Sequence, residues 1–374
     1  MKQKTTHFLT SVAFSMAITA SAVSGQTVEA AEVVVLDATV IVGNSLYADQ
    51  VNALKTPTPI IDVPQSLSIT KADDISIRGF DSIGDIVDYT PGVSMSQGEG
   101  HRDAVVFRGV RSTADFFVDS VRDDVQYYRP LYNVEQVEIL RGPNALLFGR
   151  GGAGGILNRV TKKGVIGEEF NGYSLAIDTF GGAEAAVDSN VAINENTAFR
   201  INAYYNTFEN HRDYSDGEGY GVNPTFKLQL TEKTTLDVSF EYIDYDRSID
   251  RGIPTANGKP VDALNDIVFG DPDLNKSEFE THSIRALLQH QFSDTLKGIF
   301  TASYTNSNKL YQNFYAADYD EATPDQVTLD GYRDTTNRKN FLLSGNLVYE
   351  LETNDIEHTL LFGAEFGDSS SEND

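Results

Sequence analysis

From Phe170 onward, apolar and polar residues alternate with a period of two. In "TAFRINAYYNT" Phe199, Ile201, Ala203 and Tyr205 share one face, and Arg200, Asn202, Tyr204 and Asn206 share the other. "TLDVSFEY" sets Leu236, Val238, Phe240 and Tyr242 against Asp237, Ser239 and Glu241. "FLLSGNLVYEL" sets Phe341, Leu343, Leu347, Tyr349 and Leu351 against Ser344, Asn346 and Glu350. Successive side chains of a strand point to opposite sides, so each stretch reads as a strand with one apolar and one polar face. The pattern predicts nine strands, at 171–180, 184–193, 197–208, 222–230, 234–246, 280–292, 295–308, 339–351 and 357–367. Most have about ten residues, the length a tilted strand needs to cross a bilayer. Aromatic residues gather towards the strand ends, as interface girdles do.

The connections alternate in length. Those at 193–197, 230–234, 292–295 and 352–358 are short, whereas 209–221, 247–277 and 309–337 are long. Outer-membrane barrels combine short periplasmic turns with longer external loops. A soluble β-sandwich would not impose this alternation, so a transmembrane barrel is expected.

Before Phe170 the pattern is different. From about Ala31 to Lys163 the chain is mixed α and β and dense in Gly and Pro. "DSIGDIVDYTPGV" predicts a short helix capped by Asp81, with Ile83, Ile86 and Val87 on one face and Pro91-Gly92 ending it. "AVVFRGV" and "VEILRG" predict short strands ending in glycine turns. In "LLFGRGGAGGILNRVTKK", Gly149, Gly151 and Gly154 satisfy the dinucleotide fingerprint G-x-G-x-x-G. That fingerprint requires a helix to follow and a βαβ unit around it. "ILNRVTKK" is too short and polar for such a helix, and no Lys-Ser or Lys-Thr pair marks a phosphate loop. The glycines are instead expected to serve a close backbone crossing.

Charge and composition narrow the function. The 374 residues carry a net charge of -26, which disfavours nucleic acid as a partner. The absence of cysteine excludes disulfides and thiolate metal sites. The start, "MKQKTTHFLTSVAFSMAITASAVSGQ", reads as a secretory signal: Lys2 and Lys4 precede an apolar stretch from Phe8 to Ala20, and small residues follow. Cleavage is expected between Ala22 and Ala31. An exported chain without disulfides fits a bacterium with two membranes.

Several segments then carry a family resemblance. "VPQSLSITKADDI", "IGDIVDYTPGV", "FRGV", "DSVRDDVQYY" and "NVEQVEILRGPNALLFGRGGAGGILNRVTKK" occur in this order over about residues 56–163. Together they closely resemble the plug domain of TonB-dependent ferric-siderophore receptors. "HTLLFGAEF" resembles the barrel of the same family more loosely. The resemblance implies a mixed α/β plug domain followed by an antiparallel transmembrane β-barrel, with the plug filling the lumen. It implies a signal peptide at 1–30, a TonB-box segment and linker at 31–55, a plug at 56–165 and a partial barrel at 166–374. The glycine-rich stretch would close the plug, just before the first barrel strand.

It further implies a ferric siderophore as ligand, the TonB energy-transducing complex as partner, outer-membrane lipid around the wall, and a monomer. No cofactor, resident metal or catalytic constellation is expected, and no enzyme activity. Receptors for cobalamin, haem or another metallophore are the alternative within the class. "EVVVLDATVIV" (Glu32, Val33, Val34, Val35, Leu36, Asp37, Ala38, Thr39, Val40, Ile41 and Val42) resembles the TonB box, a β-prone stretch able to add a strand to a partner's sheet edge. An internal strand of the plug is the alternative for it. Gln97, His101 and Arg102 resemble one apical plug loop, and Tyr127, Tyr128 and Tyr132 another. Aromatic faces and an arginine suit a bulky anionic chelate. Arg108 and Arg141 match family arginines that pair with wall glutamates. Nine strands fall short of the about 22 such a wide lumen needs, so the sequence reads as the N-terminal part of a longer, apparently truncated receptor. A non-transporting fragment is the corresponding alternative function.

Overall fold

The computed structural model describes residues 51–56, 60, 63–96, 98–142, 152, 154–354 and 356–373. The predicted signal peptide, the segment Glu32–Val42, Gln97, Gly149 and Gly151 lie outside the described residues.

The first region begins with a 3-10 turn, Asn52–Leu54, followed by β1 (Ser66–Lys71), α1 (Ala72–Arg78) and α2 (Ile83–Asp88). Three short strands come next, β2 (Val93–Met95), β3 (Val105–Phe107) and β4 (Val110–Ser112), which form one small sheet. Then β5 (Phe116–Val118), β6 (Val121–Arg122), β7 (Val134–Arg141) and β8 (Gly155–Thr161) join β1 in a second sheet of order β1-β7-β8-β5-β6. The α2 apolar face behaves as predicted: Ile83, Ile86 and Val87 are buried against Phe107, Phe116, Val137 and Ile139. The helix cap is Ser82 rather than Asp81. Ser82 Oγ accepts from Asp85 N–H, and the Asp85 carboxylate accepts from Ser82 N–H. This reciprocal capping box satisfies two backbone donors that a cap at Asp81 would leave open.

Arg108 and Gly109 turn the chain between β3 and β4 with φ of 45° and 88°, as the glycine turn in "FRGV" predicted. The glycine-rich stretch enters β8, a strand and not a helix. β8 runs antiparallel to β7 and parallel to β5. A Cβ on Gly154 would lie 2.9 Å from Val110 Cβ and 3.0 Å from Phe107 Cβ, so close packing requires glycine there.

The second region is one antiparallel sheet of nine strands, matching the predicted number. They are β9 (Phe170–Ile177), β10 (Ala183–Asn194), β11 (Thr197–Glu209), β12 (Asp216–Thr231), β13 (Thr234–Ser248), β16 (Lys276–Ser293), β17 (Leu296–Tyr319), β18 (Val327–Thr353) and β19 (Ile356–Asn373). A small hairpin, β14 (Thr255–Ala256) and β15 (Lys259–Pro260), lies in the connection between β13 and β16. Each large-sheet strand pairs with its sequence neighbours in that sheet. Several strands are longer than predicted. β17 and β18 stay paired out to Tyr319↔Val327, so the expected loop 309–337 is mostly hairpin. Outside a bilayer a hairpin needs no apolar face, and "VTLDGYRDTTNR" shows none, so its pairing left no periodic trace. Two-residue turns at 195–196, 232–233 and 294–295, with the same short gap between Thr353 and Ile356, lie at one end of the sheet. The longer connections 178–182, 210–215, 249–275 and 320–326 lie at the other.

The polarity of this sheet is inverted relative to a soluble protein. Its inner face buries Asn202, Asn223, Thr225, Asp237, Ser239 and Glu241, all below 9% exposure. Its outer face presents Leu175, Phe240, Ile284, Leu343 and Phe362 to the surroundings. Hydrocarbon rewards an apolar exterior and a closed backbone ladder, whereas water would not select it.

Candidate functional site

The first region packs against the polar face of the sheet, and two clusters form where they meet. The outer one lies at the long-connection end. Gly98, Glu99 and Gly100 all have positive φ and make a tight loop. A Cβ on Gly100 would lie 3.1 Å from Asp250 O, so the loop is pressed against the β13–β16 connection. The Glu99 carbonyl accepts from Tyr311 Oη at 3.0 Å, and its carboxylate accepts from Tyr332 Oη at 3.2 Å. Arg102 Nη2 lies 2.9 Å from the same carboxylate, and its Nη1 bonds Gln126. The Arg251 guanidinium stacks 4.0 Å from the Tyr315 ring centroid. Tyrosine faces, guanidinium groups and one carboxylate therefore ring the loop, a donor-rich setting for a large anionic ligand.

His101 sits beneath this ring rather than on it. It is 2% exposed, and its ring lies 3.8 Å from that of Tyr311. Burial, together with the charges of Lys309, Arg102 and Arg251, pushes its pKa down to about 2, so the imidazole is neutral. Neither ring nitrogen has a hydrogen-bond partner among the described residues.

The three tyrosines of "QYYRPLY" divide between roles. Tyr127 is buried and stacks on Phe279 of β16 at 4.2 Å, so it is a contact between plug and wall and is closed to ligand in this state. Tyr128 is half-buried, with the Arg247 guanidinium 4.7 Å from its ring. Tyr132 packs on Tyr204 of β11 at 4.6 Å, and its buried hydroxyl has no partner among the described residues.

The inner cluster is ionic. Asp123 accepts from Arg129 Nε at 2.9 Å, Arg159 Nη2 at 3.0 Å and Tyr127 Oη at 3.0 Å. Burial works to raise its pKa, but Arg129 and Arg159 prevail and hold it below the ordinary carboxylate value. Asp103 faces only one of these cations closely, Arg129 at 3.4 Å, and burial raises it. Asp119 is held low, with burial again outweighed by Lys163 at 2.7 Å and by Arg285 at 3.7 Å on β16. Arg285 also pairs with Glu241 at 3.0 Å, and Glu241 accepts from Asn133 at 2.7 Å. Asp124 reaches Arg338 of β18 at 2.6 Å.

The expected arginine pairs are not made with the nine described strands. Arg141 donates to Ser66 Oγ and Pro91 O, both at 2.9 Å, and Arg108 is exposed beside it. Neither forms an ion pair with the sheet among the described residues. Wall glutamates that meet the plug are Glu241, through Asn133, and Glu365 of β19, 4.0 Å from Lys55. Charged residues on the inner face of predicted strands were the available signal for this contact.

Residues 59–156 match the TonB-dependent receptor plug domain family. A curated relative, the probable TonB-dependent siderophore receptor PiuA of Acinetobacter baumannii, is 27% identical over 71% of this chain and 37% of its own length. The metal-pseudopaline receptor CntO of Pseudomonas aeruginosa is 26% identical over 84% of this chain and 45% of its own. The chain thus spans less than half the length of these relatives. Among solved structures, that of PiuA from A. baumannii aligns with a TM-score of 0.80 and 23% identity, over 88% of this chain and 48% of that one. Residues 59–156 thus carry the TonB-dependent receptor plug domain, and the chain as a whole, a plug domain followed by nine strands of barrel wall, is similar in sequence and fold to TonB-dependent receptors.

Proposed function

We propose that the chain works within an outer-membrane receptor that binds a ferric siderophore at the outer cluster and imports it with energy delivered by TonB. The observation carrying this is the pairing of an inside-out sheet with a polar-faced plug, whose outermost loop is ringed by Arg102, Arg251, Tyr315 and Tyr332. An aromatic, cationic ring of this kind suits an anionic chelate too large for a porin. Arg102, with Gln97, would touch ligand directly, while His101 would support Tyr311. The short turns would face the periplasm, where Glu32–Val42 would add a strand to TonB. The protein would be exported by its signal peptide, surrounded by lipid, monomeric, and a transporter without catalysis. A metallophore carrying another metal is the second reading, favoured by the similarity to a metal-pseudopaline receptor.

Uptake of a panel of ferric and other metal chelates by cells carrying the full receptor separates the two ligand classes. Val40→Pro tests the coupling, because proline removes a strand donor and restricts its predecessor. Chelate binding should persist while uptake falls at least about tenfold, as expected when an added strand loses its backbone ladder. Unchanged uptake would place the coupling segment elsewhere.

A further inference from the structure

Glu138 is a fully buried carboxylate whose hydrogen bonds run mainly to one short segment. It lies in the middle of β7, at 0% exposure, with no ion-pair partner among the described residues. Its Oε1 accepts from Asn52 N at 2.7 Å, Asn52 Nδ2 at 3.1 Å and Gln136 Nε2 at 2.7 Å. Its Oε2 accepts from Ala53 N and Asn158 Nδ2, both at 2.9 Å. A buried anion is tolerated only when such donors replace its water. Three of the five come from Asn52–Ala53, so the charge and the segment depend on each other.

The segment's other contacts include apolar packing, one hydrogen bond to its backbone and an ion pair from Lys55 to Glu365 of β19 at 4.0 Å. Val51, Ala53 and Leu54 pack on Phe117, Leu140 and Ile156, and Ser120 Oγ donates to Asn52 O at 3.1 Å. Asn52 and Lys55 also line a cavity of about 100 Å³ between the plug and the sheet, together with Val160, Lys297 and Val348. Lys297 lies just past the turn at 294–295, so this cavity belongs to the short-turn end. It lies away from Tyr311 and Tyr332, the groups of the outer cluster.

We infer that Glu138 is a positioning residue that latches Val51–Thr56 against the plug core, and that freeing this segment opens the cavity beside it. Its use in transport rests on the function proposed above, since only eight residues separate the segment from the stretch expected to engage TonB. The latch itself does not. Withdrawing the segment strips three donors from a buried charge at once, so release is all-or-none rather than gradual. The carboxylate is then hydrated through the opened cavity.

This chain contributes no cysteine, so in a full-length receptor with any other cysteine replaced by serine a single introduced thiol reports the opening. Ile156→Cys, at a position 0% exposed beneath the segment, is placed in the full-length receptor and treated with a maleimide. Combining it with Glu138→Gln, which turns one acceptor into a donor, should raise the labelling rate roughly tenfold or more. Asn52→Pro should do the same while leaving Glu138 untouched. It removes two donors at the first position of a 3-10 turn whose preceding residue, Val51, is already extended. Ile86→Cys, in the separate core cluster around α2, should stay protected in both backgrounds. Rates equal to those with the latch intact, or equal deprotection of Ile86→Cys, would overturn the latch. In cells, labelling of Ile156→Cys with the latch intact should depend on TonB. If it does not while the purified variants behave as stated, the latch stands and its coupling to transport fails.

Discussion

Replacing Asp123 with asparagine should loosen the plug without disturbing the sheet. Asp123 is the acceptor for two arginines whose side chains are 0% and 3% exposed. The Arg129 charge remains close to Asp103, but Arg159 loses its carboxylate partner and keeps Pro130 O at 3.3 Å and Tyr127 Oη at 2.8 Å. Breaking a buried pair by removing one partner costs about 3–5 kcal/mol, mostly from the charge left behind. At about 1.4 kcal/mol per factor of ten, this makes opening of β8 roughly 10²-fold or more easier. Hydrogen exchange at Leu157 and Val160 of the full receptor measures it, with β12 amides as the unaffected reference. Because the Asp123 pKa is lowered on folding, its contribution is fully present above the ordinary carboxylate value. It is lost only as pH falls through the lower folded value. The wild-type difference should therefore be flat around neutrality. A change in exchange below about threefold, under 1 kcal/mol, would show that water or neighbouring dipoles already neutralise these arginines.

Gly154→Val should destabilise the plug by about 1–3 kcal/mol through overpacking against Phe107 and Val110. Binding of NAD or ATP should be undetectable by calorimetry before and after the change. His101 titrates at about 2 when folded and near 6.5 when free, so the unfolded loop binds more protons at every pH between. Stability of the outer loop should fall with acidification below pH 6.5, by up to about 1.4 kcal/mol per pH unit. His101→Phe, which keeps the stack on Tyr311, should abolish that dependence in thermal unfolding scans. A slope shared by both proteins would assign it to another group.

The sheet was legible because each strand separates two solvents, and a period of two is its direct record. That record ends where the solvents do. The outer halves of β17 and β18 face the polar plug loop or water rather than hydrocarbon, so no period of two marks their pairing. At α2 the sequence carries the cap signal directly: Ser82 followed by Asp85 is itself a capping-box pattern. The site was less readable. Tyr127 looks like an exposed loop aromatic until Phe279, far along the chain, is brought onto it. Arg108 and Arg141 were expected to meet wall glutamates on the family resemblance alone; among the described residues the polar contacts with the wall are made instead by Asp119, Asp124 and Asn133, with others. Pairings between distant segments leave no periodicity, and polar residues on a strand do not reveal which of them carries a partner.

The nature of these contacts fits what a removable plug requires. An apolar seam between plug and wall would be adhesive at any displacement, because burial of apolar area is non-directional. Hydrogen bonds and ion pairs depend on geometry and weaken steeply once donors and acceptors separate. The seam here is mostly of the second kind: Asp124 to Arg338, Asp119 to Arg285, Asn133 to Glu241, and Lys162 to Asp188 at 3.0 Å. Apolar contact is concentrated where Val125 and Tyr127 meet Ile243, Tyr245 and Phe279. A plug held in this way is fixed in register while every group is paired. Once it moves by a few ångströms, water can satisfy the same polar groups on both surfaces, so the barrier to further movement is low. The apolar contact at Tyr127 and Phe279 would persist longest and act as the pivot, leaving the Val51–Thr56 side, away from that contact, as the side that opens.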